Sequence, residues 1–277
     1  MNKSKIKFSL LQFEGKKNLK NNAILIKKLL SKANNYKPDI ICLPECSNII
    51  TADKLHLFEH AVTQKHCPVL DVCMNFAKKY KKFVSIGSLL LRKKNSSKLL
   101  NRSFFINRSG KILNYYDKIH LFDANINNKE VHCESKYFHK GNKVVCTNSP
   151  WGKIGLTICY DIRFPNLYRR LVKQGAKIIL VPAAFTIPTG KDHWEILLRS
   201  RAIENSSFII ATGQCGKHHA GRTTYGHSMI IDPWGKIIAK SSFRPKIINA
   251  IIDINKINQA RSKISSINYH KNYFDDE

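Results

Sequence analysis

Apolar and polar positions along the chain change period several times, and each change marks an element. IKFSLLQF (6–13) is rich in β-branched and aromatic residues and reads as a first strand. NLKNNAILIKKLLSKANNY, which follows, has the spacing of an amphipathic helix. DIICLPE (39–45) is an apolar strand ending in an acid, a helical region covers roughly 52–80, and FVSIGSLLLR (83–92) returns as a strand. That succession predicts helices layered on a sheet. The second half is punctuated by three similar turns, NRSGKIL (107–113), SPWGKIG (149–155) and DPWGKII (232–238), each with a Gly-Lys step between extended apolar runs. Ile154 to Ile158 reads as a buried strand, Pro165 suits a first helical turn, and the helix it opens closes at Gly175. A strand KIILVPAAF (177–185), a helix over about 191–206, and the strands FIIATGQC and HSMIID follow. The sum is a mixed α/β domain with two sheets' worth of strands and helices outside them; propensity does not order the strands.

Composition adds limits. With 277 residues, 43% of them hydrophobic, and no Gly/Ser-rich or Pro-rich linker, a single domain spanning 1–277 is expected. The formal net charge of +28 invites a nucleic-acid partner. The charge is mostly lysine spread along the whole chain among Asn and Ile, with no arginine block, zinc finger, helix-turn-helix or aromatic RNA-binding signature. It reads as a solvated basic surface that binds polyanions weakly, and no specific nucleic-acid partner is expected. The basic start has too short an apolar core for a signal peptide, and no run approaches the roughly 18 apolar residues of a membrane span. The eight scattered cysteines then favour reduced thiols and a cytoplasmic location. Cys42 and Cys46 with His218 and His219 resemble a zinc set only superficially, because no second cysteine pair exists; neither metal nor cofactor is expected.

The candidate chemistry begins at Cys159 in GLTICYDIRFP, at the junction of a strand with a helix. A free cysteine is usually an inert core residue, and this stretch alone leaves both readings open. Hydrolysis of an amide by a thiol needs a base or a positive neighbour, donors for the developing oxyanion, and a proton for the leaving amine. Glu45 ends an apolar strand, where an acid is either a solvated loop residue or a group at the ligand-bearing edge of a sheet. Lys118 in YYDKIHLFD sits within an aromatic and apolar run, and a surface lysine is the competing reading.

The strings LPE, YDKIHLFD and GLTICYDIRFPNLYRRL, together with HWEILLRSRAIENSSFIIATGQCG and YGHSMIIDPWGKIIA, resemble the nitrilase superfamily of carbon–nitrogen hydrolases from about residue 6 to 254. That resemblance implies an α-β-β-α sandwich. It also implies Cys159 as nucleophile, Glu45 as general base, and Lys118 with the backbone N–H of Tyr160 as oxyanion donors. Glu134, in HCESKYF, matches a second glutamate that positions the lysine. Arg163 matches a substrate-carboxylate anchor, and Phe185 and Thr189 fall at pocket positions. The loop TGQCGKHHAGRTTYGHS (212–228) is similar to that of deaminated glutathione amidases, which would put His218, His219 and Arg222 at a peptide-like tail. The expected substrate is therefore a small acidic amide, deaminated glutathione first. The alternatives are an ω-amidase acting on α-ketoglutaramate and an inactive basic scaffold that binds polyanions. Lys140 stands where a proline is common. The tail 255–277, in members a region of subunit contacts in homo-oligomers, is divergent here.

Overall fold

The computed structural model describes residues 4–127 and 130–268; the end of the expected tail, 269–277, lies outside the described residues. The chain runs through β1 (Lys5–Gln12), α1 (Leu19–Asn34), β2 (Ile40–Cys42), α2 (Lys54–His60), α3 (Pro68–Tyr80), β3 (Phe83–Arg92), β4 (Leu99–Ile106) and β5 (Ile112–Asp117). A hairpin of β6 (Asp123–Asn127) and β7 (Glu130–Cys133), then the short turn α4 (Glu134–Tyr137), leads to β8 (Cys146–Ser149) and β9 (Gly152–Leu156). Next come α5 (Pro165–Lys173), β10 (Ala176–Ala183), the turn α6 (Ile187–Thr189), α7 (Glu195–Asn205) and β11 (Phe208–Gly213). A small hairpin of β12 (Cys215–Lys217) and β13 (Thr223–Tyr225) precedes β14 (Met229–Ile231), β15 (Ile237–Lys240), β16 (Lys246–Asp253) and α8 (Asn255–Lys263).

Two six-stranded sheets result, ordered β16-β1-β2-β3-β4-β5 and β15-β14-β11-β10-β9-β8. The strands that read as continuous apolar runs are buried on both faces, as parallel strands between layers must be. Ile40 and Cys42 of β2 join the core between the sheets, whereas Ile41 and Leu43 face the core under α1 and α3. On the far side, Leu171 of α5 and Leu198 and Ala202 of α7 pack against the second sheet. The architecture is the expected α-β-β-α sandwich. All three Gly-Lys turns join antiparallel neighbours, β4–β5, β8–β9 and β14–β15. Gly110 (φ +78°) and Gly235 (φ +80°) take the left-handed conformation those turns require.

One element differs from expectation. The helical region 52–80 is broken between α2 and α3, where Cys67 is extended and Pro68 opens a new helix. Proline has no N–H for the preceding turn and clashes with it, so the amphipathic pattern cannot run through.

The topology puts Glu45 just past β2, Lys118 directly after β5, Cys159 just past β9 and Ala184 directly after β10. All four lie at carboxyl ends of strands, two from each sheet, where open α/β sheets hold their ligands.

Candidate active site

Glu45 and Lys118 are each only 2% exposed, and they touch: Lys118 Nζ donates to Glu45 Oε1 at 3.1 Å. The same ammonium donates to Glu134 Oε1 at 3.1 Å and Oε2 at 2.8 Å. Asn101 of β4 adds an amide donor, 2.9 Å from Glu45 Oε1 and 3.4 Å from Glu134 Oε1. The backbone N–H of Phe122 donates to Glu134 Oε2 at 2.6 Å. One ammonium is thus held between two carboxylates whose remaining lone pairs are also occupied, the condition under which buried charges are tolerated.

Cys159 comes to this group from the second sheet. The Ala184 N–H donates to Glu45 Oε2 at 2.8 Å, and both groups act on the Cys159 thiol, Glu45 raising its proton affinity and the amide lowering it. Cys159 is 9% exposed and has φ +48°, a left-handed conformation that costs a non-glycine residue energy. Asp161 holds it there. This fully buried carboxylate accepts from Ile158 N (2.8 Å), Tyr116 Oη (2.7 Å), His120 N (3.1 Å) and His120 Nδ1 (2.7 Å). Four bonds to one carboxylate tie the lysine segment to the cysteine turn. Gln214 props the third segment, donating from Nε2 to the Glu45 carbonyl at 3.0 Å.

Burial and the neighbouring Glu45 charge push the Cys159 thiol well above its ordinary value, with Lys118 opposing. Burial would raise the Glu45 carboxyl as well, but Lys118, Arg222, Asn101 and the thiol together hold it below the usual carboxylate range. The resting pair is therefore a neutral thiol and a carboxylate lining one cavity, a proton donor and a base. Burial disfavours the Lys118 ammonium, yet Glu134 and Glu45 raise it well above the ordinary value, so it stays charged. The arrangement can move a proton from sulfur to Glu45 with a fixed positive charge alongside.

Two recesses meet at Cys159, Ala184 and Phe122. One is a cavity of about 280 Å³ that also includes Thr51, Lys54, Glu134, Tyr137 and Arg222. The other is a narrow groove lined by Tyr160, Arg163, Phe185, Thr186 and Thr189. In that groove the Arg163 guanidinium lies 5.6 Å from the Phe185 ring centre, and its Nη2 donates to His193 Nδ1 at 3.1 Å. A larger cleft of about 860 Å³ opens elsewhere, near Lys65, Arg92, Lys93 and Lys143, and none of its lining residues is a cysteine.

Of the three residues in the 212–228 loop expected at the substrate, Arg222 lines the cavity and the two histidines do not. The ring of His218 is buried, with Nδ1 3.1 Å from the Gly15 carbonyl and Nε2 2.7 Å from Thr224 Oγ1. Burial pushes its pKa down to about 4, so it is neutral framework. His219 stands behind the cavity wall, with Nδ1 2.9 Å from Thr51 Oγ1. Sequence reasoning missed Asn101, Asp161, Tyr116, His120 and Gln214. Asp161 and His120 sat inside the very strings that pointed to the site, and two polar residues within otherwise apolar runs were the available signal.

The family model for carbon-nitrogen hydrolases matches residues 7–262. The chain is 38% identical to the deaminated glutathione amidase of Dictyostelium discoideum, over 98% of this chain and 95% of that protein. It is 36% identical to the human deaminated glutathione amidase, over 84% of this chain and 72% of that one. The crystal structure of the NitFhit protein of C. elegans superposes with a TM-score of 0.90 at 32% identity, covering 98% of this chain and 66% of that one. A thiol, a carboxylate and a buried lysine lining one cavity, on this sandwich and with these relatives, identify the chain as a member of the carbon–nitrogen hydrolase family, an amide hydrolase acting on C–N bonds other than peptide bonds.

Proposed function

We propose that the protein hydrolyses deaminated glutathione through a Cys159 thioester. The observation that carries this is the convergence of Cys159, Glu45, Lys118 and Ala184 on one cavity, with Glu45 held by the Ala184 N–H and by Lys118. In the first step Glu45 takes the thiol proton as sulfur bonds to the amide carbon. The Lys118 ammonium and the Tyr160 N–H hold the oxyanion. Glu134, bound to two positions on Lys118, keeps that ammonium aimed. As the C–N bond breaks, Glu45 returns its proton to the leaving amine, and cysteinylglycine departs. Glu45 then removes a proton from water as the water oxygen attacks the thioester. Collapse releases α-ketoglutarate and returns the proton to sulfur.

The acyl half lies in the groove, its carboxylate on Arg163, which suits a carboxylate bidentately, with Phe185 and Thr189 along its sides. Admitting it needs the Arg163 side chain to swing off the Phe185 face, and Arg163 is only half-buried. The substrate reading is supported by relatives called deaminated glutathione amidases and by a second, larger recess on the leaving-group side of Cys159. We further infer a cytoplasmic, self-associating enzyme, consistent with eight unpaired cysteines and with exposed Ile196, Ile203 and Trp234; sedimentation of the purified chain tests the second point. Among the described residues, no helix is long and apolar enough to cross a membrane.

The test is α-ketoglutarate release from deaminated glutathione by the wild type and by Cys159→Ala, with α-ketoglutaramate as competing substrate. Faster turnover of deaminated glutathione, lost in the variant, supports the reading. A preference for α-ketoglutaramate keeps the chemistry and rejects the substrate.

A further inference from the structure

We propose that Lys54 and Arg222 form a second carboxylate-binding subsite in the catalytic cavity, which takes the acid terminus of the leaving-amine half of the substrate. It rests on the reading that this half ends in a carboxylate, and it adds the residues that recognise that end.

The argument starts from which charges in the cavity are matched. Both cavity carboxylates are saturated from other directions. Glu45 accepts from Lys118, Asn101 and the Ala184 N–H, and Glu134 from Lys118, Asn101 and the Phe122 N–H. Lys54 and Arg222 line the same cavity, both half-buried, and among the described residues neither forms an ion pair with a carboxylate. The Lys54 ammonium instead lies 5.3 Å from the centre of the Tyr137 ring, which holds it over the cavity without neutralising it. Burial and, next, the Arg222 charge disfavour the Lys54 ammonium, with Cys46 and Glu134 opposing more weakly, so the two cations feel each other. Like charges brought together in a partly desolvated recess cost energy unless an anion joins them. A carboxylate set between them removes that cost and gains charge-assisted hydrogen bonds.

Position adds to charge. The anchor on the acyl side, Arg163, is in the groove, Lys54 and Arg222 are in the other recess, and Cys159 lies where the two recesses join. A substrate with an acid at each end and its scissile amide between them would lie astride the nucleophile, one carboxylate in each recess. A short monocarboxylate such as α-ketoglutaramate fills the Arg163 side alone. Selection for length and second charge then comes from the cations at 54 and 222, not from the histidines at 218 and 219, whose rings are turned into the framework.

The experiment separates binding from turnover. In a Cys159→Ala background, calorimetry compares deaminated glutathione with its C-terminal carboxamide, identical except for the second charge. The acid should bind about tenfold or more tightly than the carboxamide. Adding Lys54→Met or Arg222→Met should bring that ratio close to one, and Lys54→Arg should retain most of it. Equal loss of acid and carboxamide binding in Lys54→Met, or an unchanged ratio, overturns the subsite. Tight, charge-dependent binding by Cys159→Ala with no turnover by the wild type would sink the substrate reading and leave the subsite standing. Thermal unfolding of each variant confirms that a lost ratio is not a lost fold.

Discussion

The two sheets bring different chemistry to one edge. The first supplies the charges: Glu45 after β2, Lys118 after β5 and the amide of Asn101 on β4. The second supplies the Cys159 thiol, the nucleophile we propose, after β9 and an uncharged backbone donor, Ala184, after β10. Neither half is a catalyst alone. A thiol buried in the second sheet would stay protonated and inert, and the carboxylates of the first would have nothing to deprotonate. What distinguishes this molecule from a sandwich with a buried cysteine is the interlock of Asp161 with Tyr116 and His120, which registers one sheet edge against the other.

The largest effect should come from deleting the proposed nucleophile. Cys159→Ala should lower kcat on the order of 10⁴-fold or more and leave thermal unfolding nearly unchanged, because the thiol makes few bonds the fold depends on. Lys118→Met reverses that separation. It leaves two buried carboxylates facing each other, so it should cost about 3–5 kcal/mol in denaturant unfolding as well as about 10²–10³-fold in kcat. Asp161→Asn tests the interlock. Loss of a charged acceptor for four donors should cost about 1–3 kcal/mol and lower kcat with little change in KM, since no substrate contact is removed.

The pH profile probes the pair itself. Glu45 sits below its ordinary carboxylate value and Cys159 above its ordinary thiol value, so kcat/KM should be flat across neutrality. It should fall only on acidification below the usual carboxylate range, as Glu45 takes a proton. The native-state contribution of Glu45 to stability follows the same direction: present above the ordinary value of 4.5, and lost as pH falls through its lower folded value. The smallest effect belongs to the loop. His218→Asn should cost about 1 kcal/mol and leave KM for deaminated glutathione unaltered, because both ring nitrogens serve the framework. A KM for His218→Asn above that of the wild type would restore His218 as a substrate contact.

Much of this was readable in the chain. Apolar strand runs alternating with helical spacing announced helices layered on sheets, and the family resemblance supplied the sandwich. Glu45 ended an apolar strand and Cys159 stood at a strand-to-helix junction, where a polar group becomes conspicuous; Lys118 sat within an aromatic and apolar run and was singled out by the family resemblance. The supporting residues were harder to find. Asp161 and His120 become partners only when β5 and β9 are brought together, and no local pattern states which strand ends meet. The histidines at 218 and 219 erred the other way. Their residue type suggests ligand contact, but whether the His218 ring faces a cavity or the Gly15 carbonyl depends on a loop some 200 residues earlier.

The pairing of β1 with β16 has a consequence for how the protein is made. Ser9 donates to Asn249, 240 residues later, and every pair of the antiparallel register from Lys5↔Asp253 to Gln12↔Lys246 joins residues well over 200 positions apart. On the ribosome, β1 leaves the exit tunnel long before its antiparallel partner exists, with an unsatisfied hydrogen-bonding edge exposed throughout elongation. The first sheet closes only after nearly all of the described chain has emerged. Maturation is therefore late and slow, as contacts so distant in sequence dictate, and the waiting strand is the segment a chaperone would need to shield.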